Sequence, residues 1–175
     1  MSNLEQFKID LKGLAQGVST FSFTLDDAYF DAISAPVVRR GHVGVSLSVN
    51  RNGDLFYMDF HTHGSVIIPC DKCLDDMEQS IDSQDRLVAK FGEDYSESDD
   101  FVTVPDAEGV LDVSWFIYEF IELNIPLRHV HAPGKCNPAM MKILEEHSAA
   151  RSGDGDAEQP VDSRWAALSK LKNKI

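Results

Sequence analysis

Apolar and polar residues alternate through much of the first half of this 175-residue chain. Phe7, Ile9 and Leu11 are spaced by polar neighbours, and Phe21, Phe23 and Leu25 repeat the pattern beyond Gly17, so residues 4–25 read as two strands of an opening hairpin. A short helix is expected from Asp27 to Ile33. Val43, Val45, Leu47 and Val49 alternate again, the Asn50-Arg51-Asn52-Gly53-Asp54 run supplies turn residues, and Phe56, Met58 and Phe60 continue the sheet. This half predicts an antiparallel meander able to curl into a partly open barrel.

Beyond residue 73 the period is ambiguous. Leu74, Met77, Ile81 and Val88 suit a helical stripe, whereas Leu87, Ala89 and Phe91 suit a strand. Glu93 to Asp100 reads as an acidic loop. A helix starting at Asp112 or Ser114 would carry Trp115, Phe116, Tyr118, Phe120, Ile121 and Ile125 on a broad apolar face and stop at Pro126. A second is expected from Pro138 to about Ser148, with Met140, Met141, Ile143 and Leu144. The resulting class is α+β: an antiparallel sheet or partly open barrel over about 4–92, packed with two to three C-terminal helices. The expected division is a domain over 1–150, a Gly-, Asp- and Glu-rich linker over 151–162, and an amphipathic tail over 163–175.

Charge narrows the partners. With 29 acidic against 16 basic residues the formal net charge is −13, so bulk attraction to a phosphate backbone is not expected, and a basic protein partner is the easier fit. The same acidity also serves plain solubility. The segment Met1 to Asp10 is polar and acidic where a signal peptide would be basic and then apolar, and no apolar run suffices to span a bilayer, so a cytoplasmic location with no membrane association is expected. Three cysteines in a reducing compartment point to metal ligation, redox chemistry or packing rather than to a disulfide framework.

The sharpest local feature is Cys70-Asp71-Lys72-Cys73, half of a four-ligand zinc set. The other half would come from His129-Val130-His131-Ala132-Pro133-Gly134-Lys135-Cys136, with Cys136 as third ligand and His131, or less favourably His129, as fourth. Pro133 and Gly134 make a turn that can aim both inward. Two other readings stand beside zinc: a cysteine pair packed as small hydrophobes, and a thioredoxin-like dithiol, for which Val66-Ile67-Ile68-Pro69 would be the preceding strand and a helix would follow Cys73. His61 and His63 share a strand face, either as ligands or as exposed polar side chains; His42 and His147 have the same two readings. No phosphate loop, nucleophile elbow or differentiated carboxylate pair is present, so no small-molecule substrate is inferred. Glu93, Asp94, Glu97, Asp99 and Asp100 form either a docking surface or a solvated loop. In the tail, Trp165, Leu168 and Leu171 fall on one helical face beside Arg164, Lys170 and Lys172; this segment either folds back on the domain or orders on a partner.

In their order these motifs resemble a known family. Pro69-Cys70-Asp71-Lys72-Cys73-Leu74, Glu119 through Pro126, His129-Val130-His131, Gly134 through Pro138, and Val161 through Leu168 with Leu171-Lys172 are similar to the YceD family, also called DUF177 or the large ribosomal RNA synthesis accumulation proteins. The resemblance implies a bacterial, non-catalytic role in synthesis, processing or stability of 23S ribosomal RNA and large-subunit assembly. It implies as partner a basic ribosomal or assembly protein, the 23S precursor, or both. The alternatives are a zinc- or dithiol-dependent enzyme using Cys70 and Cys73, or a metal-free interaction module. Carried over, the family's cysteine pair falls on Cys70 and Cys73, and its downstream histidine and cysteine on His131 and Cys136. Many members have a second cysteine pair there; this chain has Cys136 alone, which excludes an all-cysteine metal site. Asp162-Ser163-Arg164 stands where the family usually has Asp-Pro-Arg. The resemblance also favours a strand over residues 77–91.

Overall fold

The structure, a computed structural model, describes residues 4–98 and 100–147. The strands are β1 (Lys8–Asp10), β2 (Gly17–Leu25), β3 (Arg40–Asn52), β4 (Leu55–Pro69), β5 (Asp76–Gly92), β6 (Ser96–Glu97), β7 (Val102–Pro105) and β8 (Val110–Asp112); the helices are α1 (Asp27–Ala32), α2 (Ser114–Leu123) and α3 (Pro138–His147). The class is the expected α+β. Six strands form one open sheet in the order β2-β3-β4-β5-β7-β6, antiparallel except for the β5–β7 pair, and its two edges do not meet, so the sheet does not close into a barrel.

The long central hairpins follow from the alternation. Along β3 and β4, Val43, Val45, Leu47 and Val49 and then Phe56, Met58 and Phe60 are buried on one face, while the residues between them face outward. Against the buried face pack α1 and α2. Phe7 stacks on Phe23 with ring centroids 5.0 Å apart, Tyr29 lies 5.1 Å from Phe7, and Phe60 meets Phe120 of α2 at 5.1 Å. Aromatic pairs at these separations add to the area they bury. Helix α1 begins at Asp26, whose side chain accepts from the Tyr29 N–H. Helix α2 starts at Ser114, whose N–H is taken by Asp112 Oδ1 at 2.8 Å.

Three expectations are corrected. Phe7, Ile9 and Leu11 are buried in alternation as expected, but β1 pairs with β8, Ile9 opposite Leu111, and not with β2. The Leu11 N–H goes to the Gly109 carbonyl, which turns the chain away from the hairpin. Alternation reports which face a residue takes, not which strand lies beside it. The acidic stretch is not all loop, since Ser96 and Glu97 pair with β7. Helix α2 ends at Leu123 rather than at Pro126, where the Asn124 side chain donates to the Phe120 carbonyl, and its Trp115 is 44% exposed. Residues 76–92 are a strand, β5, as the family resemblance implied.

The described residues divide into two units after Met141, inside α3. Within the second, Lys142 and Glu146 form an ion pair on α3 at 3.8 Å. The expected linker over 151–162 and the tail residues Arg164, Trp165, Leu168, Lys170, Leu171 and Lys172 lie outside the described residues.

Candidate metal centre

Strand β4 ends at Pro69, and the return to β5 is made by Cys70 to Asp75. The turn is held by Cys70 N–H to Asp75 O and Leu74 N–H to Cys70 O, both 2.9 Å, with Leu74 at a φ of 63°. This geometry points both Cys70 and Cys73 inward, and both are buried. The opposing loop runs between α2 and α3. There the Lys135 N–H donates to the Ala132 carbonyl at 2.9 Å and Gly134 has a φ of 80°, the signature of a type II turn with Pro133 and Gly134 in the middle. The reversal carries His131 and Cys136 back onto the cysteine loop.

The four side chains converge. The ligand atoms of Cys70, Cys73, His131 and Cys136 all lie within 4.8 Å of one another. Cys70 and Cys136 Sγ are 3.9 Å apart, and Cys73 Sγ is 3.3 Å from His131 Nδ1. Two thiolates on one tetrahedral zinc would be about 3.8 Å apart, and a thiolate and an imidazole nitrogen about 3.6 Å, so the spacing fits an ion as well as it fits hydrogen-bonded thiols. The cysteines are free. Three sulfurs and one imidazole are also the soft donor set that structural zinc takes.

Burial acts to raise the Cys70 thiol, yet hydrogen bonds from the backbone of Cys73, His131 and Lys72 and from the His131 side chain outweigh it and bring its pKa down to about 6. Cys136 is pushed up, by burial first and then by the Cys70 and Cys73 thiols beside it. One sulfur of the cluster is thus ready as an anion at neutral pH, the form in which a thiol binds metal.

His129 does not join the cluster. Its ring Nδ1 lies 3.0 Å from the Pro126 carbonyl and its Nε2 3.3 Å from Asp71 Oδ1. The helix that a thioredoxin-like reading needs after Cys73 is replaced by β5. His61 and His63 share the outer face of β4, as expected. His61 Nε2 is 3.2 Å from Asp82 Oδ1, and the His63 ring lies over Gly44, where an added Cβ would come within 2.8 Å of it. His61 borders an open groove of about 800 Å³ lined also by Thr20, Ser22, Ser46 and Ser48. Among the described residues the Cys70 cluster is the only grouping of three or more metal-capable side chains.

Fold and site together define a mixed α+β protein whose central hairpin ends in a three-thiol, one-imidazole cluster completed by a distant loop. The sequence profile described as "Large ribosomal RNA subunit accumulation protein YceD" matches residues 58–172, more than half of the chain, and the protein belongs to that family. The match takes in most of β4, all of β5, both loops of the cluster and most of the tail. No curated protein and no solved structure matches the chain.

Proposed function

We propose that the protein is a non-catalytic factor that supports synthesis, processing or stability of 23S ribosomal RNA and assembly of the large subunit. The family membership carries this reading. In it, Cys70, Cys73, His131 and Cys136 hold a structural zinc that clips the tip of the β4–β5 hairpin to the loop beyond α2; the ion supplies cross-linking, not reaction chemistry. The net charge of −13 supports a basic ribosomal or assembly protein as the partner in preference to naked RNA. The working place is the cytoplasm, in keeping with the described helices, none of which is long and apolar enough to cross a membrane. The domain takes up residues 1–150 and the acidic stretch 151–162 tethers the tail. Arg164, Trp165, Leu168, Lys170, Leu171 and Lys172 of that tail engage the partner.

Deleting the gene tests the reading. Mature 23S RNA should fall relative to 16S RNA, with free small subunits in excess, and a balanced subunit profile under conditions where the gene is expressed would overturn it. Removing residues 151–175 tests the tail: loss of the partner in a pull-down with an unchanged melting temperature supports partner binding, and a markedly lower melting temperature supports an internal staple.

A further inference from the structure

We infer that Asp71, which lies between the first two thiols, is the positioning residue for the imidazole ligand His131; the inference rests on the zinc reading above. The two loops of the cluster meet away from the sulfurs as well as at them. Asp71 N–H donates to the His129 carbonyl at 2.9 Å, and Asp71 Oδ2 accepts from the His129 N–H at 2.7 Å. The other carboxylate oxygen, Oδ1, faces the His129 ring at 3.3 Å, while the far side of that ring is held on the Pro126 carbonyl at 3.0 Å. Residue 129 is therefore fixed through its amide, its carbonyl and its ring, two positions before the ligand.

This fixation matters because residues 124–137 form no helix or strand. A segment without a ladder loses its backbone freedom when an ion orders it, unless something else has ordered it first. On one side of His131 the Pro133–Gly134 turn does so. On the other side the work falls to Asp71. Since Asp71 belongs to the cysteine loop itself, the same residue that separates Cys70 from Cys73 sets the distance of His131 from both. A second bridge, Asn137 Nδ2 to Asp75 Oδ2 at 3.0 Å, joins the loops beyond Cys136, but Asn137 also uses its oxygen at the first turn of α3, toward the N–H of Ala139 and of Met140. Among the described residues Asp71 has no such second task and acts on the imidazole side alone.

The test is zinc affinity of the full chain, measured by competition with a chromophoric chelator, together with the absorption spectrum of the cobalt-substituted protein. Asp71→Ala should bind zinc roughly tenfold more weakly, the low end of what an outer-shell contact of a metal site is worth, since Asp71 reaches His131 only through residue 129. Its cobalt spectrum should keep the thiolate charge-transfer and ligand-field bands of the wild type, because the ligand set is intact. Asp71→Asn, whose amide oxygen still accepts from the His129 N–H, should recover most of the affinity. Asp71→Glu, which keeps the charge but displaces it by one methylene, should not, and it carries the test if the alanine variant does not fold. Wild-type affinity in Asp71→Ala or Asp71→Glu, or an altered cobalt spectrum in either, would overturn the assignment. Failure of the wild type itself to take up zinc is a different result and would remove the metal reading along with it.

Discussion

The Tyr29 hydroxyl donates to the Ser114 carbonyl at 2.6 Å and so fastens α1 to the first residue of α2, 85 positions along the chain. Tyr118 makes the reciprocal tie, its hydroxyl accepting from the Val37 N–H at 3.1 Å. Burial, followed by the charge of Asp112, pushes the Tyr29 phenol well above its ordinary range. The folded protein thus holds this proton beyond the unfolded pKa of about 10. The stabilisation is complete below that pH and is lost progressively as pH rises above it. Tyr29→Phe should cost about 1 kcal/mol at neutral pH and flatten the fall of stability above pH 10. Equal alkaline slopes in the two proteins would contradict this.

A buried hydroxyl without a partner makes the opposite prediction. Thr62 is fully buried, and its Oγ1 has no hydrogen-bond partner among the described residues. Thr62→Val keeps the shape and the β-branch and removes the desolvated group, so it should stabilise by about 1 kcal/mol. A denaturation midpoint that falls would show that the hydroxyl is satisfied in solution.

Gly64 has a φ of 148°, and a Cβ there would lie 2.3 Å from the His42 carbonyl oxygen and 2.7 Å from the Val43 Cα. Both are backbone atoms of the neighbouring strand and cannot swing aside. Gly64→Ala should destabilise by about 2 kcal/mol or more, against about 1 kcal/mol for alanine at Gly53, which has open space around it and carries only the strain of its φ of 63°. Chemical denaturation of the two variants side by side checks the contrast.

If Cys70, Cys73, His131 and Cys136 hold zinc, Cys136→Ser should release it and lower the melting temperature of the zinc-loaded protein by about 10 °C. Elemental analysis and a thermal melt on one sample read both effects. Stoichiometric zinc in the serine variant would rule out this ligand set.

The long strands were legible because each buries one face, which writes a period of two into β2, β3 and β4. Strand β5 was not legible from its own residues, since Leu87, Val88, Lys90 and Phe91 are all half-buried and the two faces lose their contrast. Strands β7 and β8 have four and three residues, too few to show a period. At the site, residue type and the Pro133–Gly134 turn identified the four converging side chains. The contact between Asp71 and His129 left no such trace, because each sits inside a motif read for other residues and their pairing exists only once the two loops meet.

The pairing of Ile9 with Leu111 orders events in time. A ribosome adding about 5 to 20 residues per second needs roughly 5 to 20 s to go from one residue to the other, whereas hairpins like those joining β3, β4 and β5 close in about 1 to 10 μs. The central sheet is therefore in place while Phe7, Ile9 and Leu11 still lack a neighbouring strand and α2 has yet to emerge. From the end of β5 at Gly92 to Leu111, roughly 1 to 4 s at that rate, the nascent chain shows an apolar sheet face and an apolar leading segment to its surroundings, and a chaperone that binds such surfaces has seconds, not microseconds, in which to act.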